Sequence, residues 1–564
     1  MVRFRASRLG LWAAAAACLV VLVCAHLGLG QPAPPGPMQL GLTGPGSAGY
    51  ALARAAGIRS VRITADWSMI EPQRGQPVWT DLDRAVDAAH REGMVPLLVL
   101  AFTPRWASIG TGVDLLRHEI YSRQPPRDLR DWDRFVGAVA ARYRDRVREW
   151  QVWTQLGLPH YRGTGNEYVA LLQAAHARIK ALDPSAKVAS ATPEGMDLGF
   201  GVRMLAAAPQ QLDALVISSR GSSPESLLRP LGILAGRARA AGKALWLDWA
   251  PERSGGVDAG GGLLARALAV AQATGVERFF LTDPGPGETD IRQAAALLAG
   301  RPYAGHIVRD PDVFAVLYGT GADTVLLAWA TVEGRILDLP LIPGTRVATI
   351  QGRPVTGEIR DGRVILRLTS SPIVVAGISP VLLEEARTAA AARGALLPVV
   401  GADRDFSRSP EVFARLGRTS EERGLYNLPY RARSNGAVEP VETAGGEGVR
   451  TVVARGVVYV YFDLDDTFAF FLEGRTHLEV TVEAWGGSAP GGVGFNLMYD
   501  STGGYRFTPW QLVGIADGWV NHTLRLTDAS MANTWGWDFA INAGGNRSED
   551  LVVRSVTVRK IPPP

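Results

Sequence analysis

Cysteine is almost missing from this 564-residue chain. Cys18 and Cys24 are the only two, and both fall in an apolar segment near the N-terminus. Everything after residue 24 therefore has neither a disulfide framework nor a thiolate metal site. The eight histidines show no H-x-H or H-E-x-x-H spacing, so the common zinc signatures are missing too, and no metal or cofactor is expected. There is no basic tract. The formal charge is +4, and Arg3, Arg5 and Arg8 supply three of those charges, so a nucleic-acid partner has no electrostatic support. A Gly-rich phosphate loop in dinucleotide spacing is also lacking after the first strand-like segment. What remains is ordinary globular composition, 47% hydrophobic and 20% charged, in a chain long enough for two to four domains.

Residues 1–30 carry the three arginines and then an apolar run from Leu9 to Gly30, broken by His26. This is the pattern of a secretory signal or an N-terminal membrane anchor. The run is nearer the ~20 residues of a spanning helix than the ~7–15 of a signal core, which favours an exported, membrane-retained chain over a released one. Residues 31–37, Gln31 to Pro37, are Pro-rich and read as a stiff spacer.

From residue 38 to 301 strand-like and helix-like segments alternate. The strand candidates are Gln39–Thr43, Ser60–Ala65, Val95–Phe102, Trp150–Gln155, Lys187–Ala191, Ala214–Ser218, Ala244–Trp249 and Arg278–Thr282. Amphipathic patterns such as Asp81–Glu92, Pro224–Ala241 and Leu263–Thr274 lie between them. Eight such units in this length predict a (β/α)8 TIM barrel. Residues 302–378 turn to short alternating strands separated by turns such as Asp361-Gly362, the pattern of a small antiparallel β-sandwich. Residues 379–450 read as a mixed connector, with a helical bias over Leu382–Arg393 and a loop-like Gly436–Gly448. Strands resume over 451–564. The expected architecture is thus multidomain: a barrel, an accessory sandwich and a C-terminal β-jelly-roll.

Several segments of the barrel resemble the clan of glycosidases that includes glycoside hydrolase family 39. Trp67-Ser68-Met69-Ile70-Glu71-Pro72 matches the strand-two frame W-x-x-I-E-P, and Gly75, Trp79 and Asp83 continue its rhythm. Thr103-Pro104-Arg105-Trp106-Ala107 resembles the strand-three T-P-x-W-A. The match spans most of Gly57–Gly157. Around residues 461–542, pieces such as Tyr461-Phe462-Asp463 and Trp537-Asp538-Phe539 are similar to jelly-roll carbohydrate-binding modules.

The resemblance implies two carboxyl groups, one acting as acid/base and one as nucleophile. At the end of strand four the frame W-x-V-W-N-E-P reads Trp150-Gln151-Val152-Trp153-Thr154-Gln155-Leu156, so Gln155 stands where the acid/base Glu is expected. An amide cannot protonate a leaving group, and losing that help typically costs ~10²–10⁴-fold in rate. On strand seven, alignment on Trp246 puts Trp249 at the nucleophile position, with Asp248 on the opposite face by the period of a strand. Strand six ends Ser218-Ser219-Arg220 where the family carries His-x-Tyr.

These departures predict a catalytically degenerate barrel that keeps a sugar cleft, with a polysaccharide or oligosaccharide as partner. Asp66, Trp67, Trp106, Trp153, Gln155 and Trp249 are the expected binding residues. The alternative is an active O-glycosyl hydrolase whose acids come from Asp248, Glu194 or Asp283; a further one is a structural scaffold in a membrane assembly. Glu71 is expected to be structural, and Asp463, Asp465 and Asp466 to form a solvated turn rather than a Ca²⁺ site.

Overall fold

A computed structural model describes residues 38–562, apart from 45–46, 157–159, 194–195, 197, 221–222, 251–260, 283–287, 299, 308, 311, 394–405, 407, 429–435, 444, 466–467, 470–475, 487–491, 502–503, 515–517 and 532–536. The leader and the Pro-rich spacer lie outside the described residues, as do Glu194 and Asp283. Among the described residues no helix is long and apolar enough to cross a membrane.

Eight parallel strands close into a barrel in sequence order. They are β1 (Gln39–Thr43), β2 (Ser60–Asp66), β3 (Val95–Ala101), β4 (Glu149–Val152), β5 (Lys187–Ala189), β6 (Ala214–Arg220), β7 (Ala244–Ala250) and β8 (Arg278–Thr282). β3 is almost wholly apolar because both of its faces are covered. Helices follow the strands, among them Thr80–Arg91, Leu129–Tyr143, Gly165–Leu182, Leu228–Ala240 and Gly261–Thr274. Thr164 and Glu167 close a capping box on Gly165–Leu182, satisfying the N–H groups that a helix start leaves free. β4 stops at Val152, short of the expected Gln155, because Trp153 takes φ +66° and turns the chain off the ladder.

The lumen is filled, as small barrels require. At its lower end Arg278 pairs with Glu149 and Gln39 and lies 4.6 Å from the Trp246 ring. Gly41 makes room above them: a Cβ there would stand 2.5 Å from the Phe280 ring.

Residues 303–376 form two antiparallel sheets. One contains β9 (Tyr303–Ile307), β10 (Val313–Tyr318), β11 (Val325–Ala330), β13 (Arg346–Thr349) and β16 (Ile373–Ala376). The other contains β12 (Arg335–Pro340), β14 (Glu358–Arg360) and β15 (Arg363–Leu368). β10 is buried along its whole length because its two faces serve two cores. Phe314, Val316 and Tyr318 pack into the barrel's core, while Ala315 and Leu317 pack into the sandwich's own.

The described residues of the segment read as a connector, 379–450, include a helix and five strands. Helix Pro380–Arg393 buries Leu382 and Ala386 in the accessory core. β17 (Glu411–Arg415), β18 (Glu421–Arg423), β19 (Leu425–Leu428) and the hairpin β20 (Glu439–Thr443) to β21 (Gly446–Arg450) join the C-terminal sheets. The apolar signal misses them because β17 buries only alternate residues and β18 and β20 bury none.

The remaining strands are β22 (Tyr459–Leu464), β23 (Thr476–Gly486), β24 (Gly494–Ser501), β25 (Gly504–Phe507), β26 (Gln511–Leu512), β27 (Gly518–Ala529), β28 (Phe539–Asn542) and β29 (Val552–Lys560). Two antiparallel layers, β18-β17-β29-β23-β27 and β24-β28-β22-β19, meet at a single pair, Ser501 with Ala529. They enclose a core that includes Val480, Phe495 and Phe539. This is a β-sandwich of jelly-roll-like build.

Candidate functional site

The mouth of the barrel, at the C-terminal ends of its strands, is where this fold places chemistry. Its open quadrant lies over β8, β1 and β2. Thr64 on β2 is exposed although Ile63 and Ala65 beside it are buried, so solvent reaches into the lumen there. Thr43, Asp66 and Thr282 around it are half-buried.

The floor of this opening is an ion pair. Arg62 Nη1 donates to Asp248 Oδ2 at 2.8 Å and to Thr43 Oγ1 at 3.2 Å, and the Thr282 hydroxyl bonds Asp248 Oδ1. The guanidinium lies 4.1 Å from the Phe280 ring. β2 and β7 are separated by β8 and β1 in the closed sheet, so this contact crosses the lumen. Asp248 therefore faces inward.

That corrects the expected strand-seven alignment. Trp249, one residue on, points to the outer helix layer, buried and 5.7 Å from Phe279. Its indole N–H finds no acceptor among the described residues. Register with Phe280, whose ring is in the lumen, fixes the face of Asp248. Trp249 neither occupies the cavity nor offers a ring face to a sugar.

Two further expected platforms are core residues. Trp67 is fully buried, stacked at 5.0 Å on Phe135, with Nε1 donating to Glu71 Oε2 at 2.8 Å. Trp153 is fully buried against Tyr161, with Nε1 donating to the His160 carbonyl at 3.2 Å. Trp106 is half-buried; its N–H donates to the Glu71 carbonyl, and the Arg74 and Arg134 guanidinium groups lie over its ring. The ends of β2 to β4 are thus clasped by an aromatic cluster shared with helix Leu129–Tyr143, which leaves little for a ligand.

Glu71 holds that cluster together. Besides Trp67 it accepts from the Gly75 amide at 2.6 Å and from Arg134 at 3.2 Å. Its structural role follows from these bonds.

Gln155 sits between β4 and β5, buried, in a single parallel bridge with Thr192. Gln151 faces the lumen below it; its amide donates to the Trp153 carbonyl at 3.1 Å while Oε1 has no partner among the described residues. Phe102 and Trp153 both take φ +66° at the ends of adjacent strands, a conformation that costs an L-residue ~1–2 kcal/mol and persists only where packing over-determines it.

Asp66 caps the short helix Trp67–Ile70. Its Oδ1 accepts from Ser68 Oγ at 2.6 Å and from the Met69 amide at 3.3 Å, and Ser68 Oγ also lies 3.1 Å from His118 Nε2. Burial pushes the Asp66 carboxyl above its ordinary value, partly offset by the Ser68 hydrogen bond. The residues that sequence reasoning missed are Arg62, Thr43 and Thr282. A lone arginine inside an apolar strand was their only signal, and its partner lies 186 positions away. Among the described residues no cluster of His, Cys, Asp and Glu could hold a metal ion.

No protein-family model matches the chain, and no curated protein matches it in sequence. Solved structures do. A family 39 glycoside hydrolase from Bacteroides cellulosilyticus is 17% identical, aligned over 60% of this chain and 81% of its own, with a TM-score of 0.50. A glucosidase from Croceicoccus marinus is 16% identical over 61% and 98%, TM-score 0.44. A family 30 endoxylanase from Clostridium papyrosolvens is 12% identical over 62% and 98%, TM-score 0.45. At such identities the likeness is one of fold: this chain has a glycoside-hydrolase-like barrel.

Proposed function

We propose that this is an exported polysaccharide-interacting protein whose barrel binds sugar without two-carboxylate hydrolysis. The supporting observation is the chemistry at the mouth. Gln155, three residues beyond the end of β4, carries an amide, and the lumen-facing acid Asp248 is held by Arg62 and Thr282. Retaining hydrolysis needs two carboxyl groups ~5–5.5 Å apart, with one free to attack. An acid fixed in a buried ion pair keeps the lumen neutral instead. Export and tethering rest on the N-terminal apolar run, and the polysaccharide partner on the barrel's fold. The test is pull-down of the purified full chain, in detergent, with a panel of soluble polysaccharides. Binding without sugar release is expected; steady release of sugar ends this reading.

One observation favours a second reading, a hydrolase with displaced acids. Asp248 faces the cavity and Asp66, at the same mouth, holds its proton more tightly than an ordinary aspartate. Two carboxyl groups in unlike environments are how acid and base roles are divided. Sugar release abolished by both Asp248→Asn and Asp66→Asn would establish it.

A further inference from the structure

We propose that the arch Thr111–Tyr121, in the loop after β3, is a lid on the barrel mouth, latched by His118 while its imidazole carries a proton and released as that proton is lost. The arch borders the opening where the sugar-binding reading above places its ligand. What the latch controls rests on that reading; the latch itself does not.

The base of the arch is fixed. The Thr103 amide donates to the Ser122 carbonyl at 2.8 Å, Thr103 Oγ1 to the Gln124 carbonyl at 2.6 Å and Ser108 Oγ to the Tyr121 carbonyl at 3.0 Å. The tip is held far less. The 3-10 turn Gly112–Leu116 and the helical turn His118–Tyr121 bury no residue, and Val113 and Leu116 are 74% and 72% exposed. Its bonds to Ser122 and Gln124 stay within the same loop. Among the described residues one hydrogen bond ties it to the end of β2, where His118 Nε2 lies 3.1 Å from Ser68 Oγ. A segment with so few buried contacts opens locally at small cost, so that one bond sets how often it opens.

Proton counting makes the bond conditional. Ser68 has a single hydroxyl proton, and its 2.6 Å contact commits that proton to Asp66 Oδ1. His118 must therefore donate from Nε2. An imidazolium donates from both nitrogens, whereas a neutral ring donates from Nε2 in only one of its two tautomers. Charge acts in the same direction: burial raises the Asp66 carboxyl, and attraction to the His118 charge works against that rise. The other groups beside the ring are Tyr121, edge-on at 5.3 Å, and the chain neighbours Arg117 and Glu119. Those two pair with each other at 2.7 Å, leaving Asp66 as the nearby carboxylate with no cationic partner of its own among the described residues. The latch is thus complete while His118 is charged and Asp66 ionised. It weakens as pH rises through the range in which histidine loses its proton, about pH 5 to 8. Released, the arch moves away from Asp66 and the opening beside it widens.

Hydrogen–deuterium exchange of the full chain in detergent tests this with no sugar present, read over residues 111–121 and corrected for the intrinsic pH dependence of exchange. Protection of the arch should fall about tenfold between about pH 5.5 and about pH 8.5, while helix Gly165–Leu182 keeps its own. His118→Gln carries a donor that does not titrate, so its protection should be equal at both pH values. His118→Ala and Ser68→Ala should be as open at the lower pH as the native chain is at the higher. Native protection that is flat with pH, or a pH dependence that survives in His118→Gln, overturns the latch. Failure of the native chain to bind galactomannan at either pH counts against the polysaccharide reading alone, because the exchange result stands without it.

Discussion

Asp248 is the lumen-facing acid of the barrel, and its ion pair with Arg62 makes its role measurable. Removing one partner of a buried ion pair costs ~3–5 kcal/mol, while replacing both by apolar groups can be neutral. Asp248→Ala should therefore destabilise the barrel by that amount in urea unfolding, and Arg62→Met with Asp248→Leu should recover most of it. A double variant as damaged as the single would refute the coupling. Asp66 makes a prediction in pH. Its folded carboxyl holds the proton more tightly than the unfolded chain does, so it contributes stability that is complete below the ordinary aspartate value of ~3.9. That contribution is lost as pH rises through the raised folded value. Carbon-13 titration of Asp66 should give a midpoint above the ordinary one, and Asp66→Asn should flatten that part of the pH–stability curve.

At the scale of elements, the W-x-x-I-E-P segment that carried the family resemblance is a structural clasp. Glu71→Ala would leave the Trp67 indole and the Gly75 amide without their acceptor and Arg134 with Asp131 as its remaining carboxylate. The expected cost is about 3 kcal/mol, read in thermal unfolding; a loss under 1 kcal/mol would refute the clasp. The motif was legible in sequence and its meaning was not, because Trp67 reads equally as a platform or a core residue until helix Leu129–Tyr143 is laid over it. Of the hairpin joining β14 to β15, the turn and β15 were legible, while β14, exposed along its length, was not. Asp361 and Gly362 take φ +50° and +70°, the two-residue turn that an Asp-Gly pair announces. Gly362→Val should cost ~1–2 kcal/mol, seen as a lower melting temperature of the barrel–sandwich unit.

In the whole molecule, the barrel and accessory sandwich share packed core and should unfold as one cooperative body. Tyr318 donates to the Ala269 carbonyl at 2.6 Å and Trp329 Nε1 to Glu225 at 2.7 Å, and the outer face of β10 lies in the barrel's core. The C-terminal sandwich has a core of its own. Calorimetry should accordingly resolve two transitions, and truncation after residue 393 should remove one while leaving the other in place. Three transitions would separate the barrel from its sandwich.

By itself the sequence determined the number and order of the barrel strands, the change to β structure after residue 301 and the amide at position 155. All of these are carried by local periodicity or by the identity of a single residue. Tertiary structure alone decided which of Asp248 and Trp249 enters the cavity, that Trp67 and Trp153 are core, and that β17 to β21 belong to the C-terminal sheets. A strand shows which neighbours lie on opposite faces, but only the closure of the barrel, and the partner across it, says which face is inside.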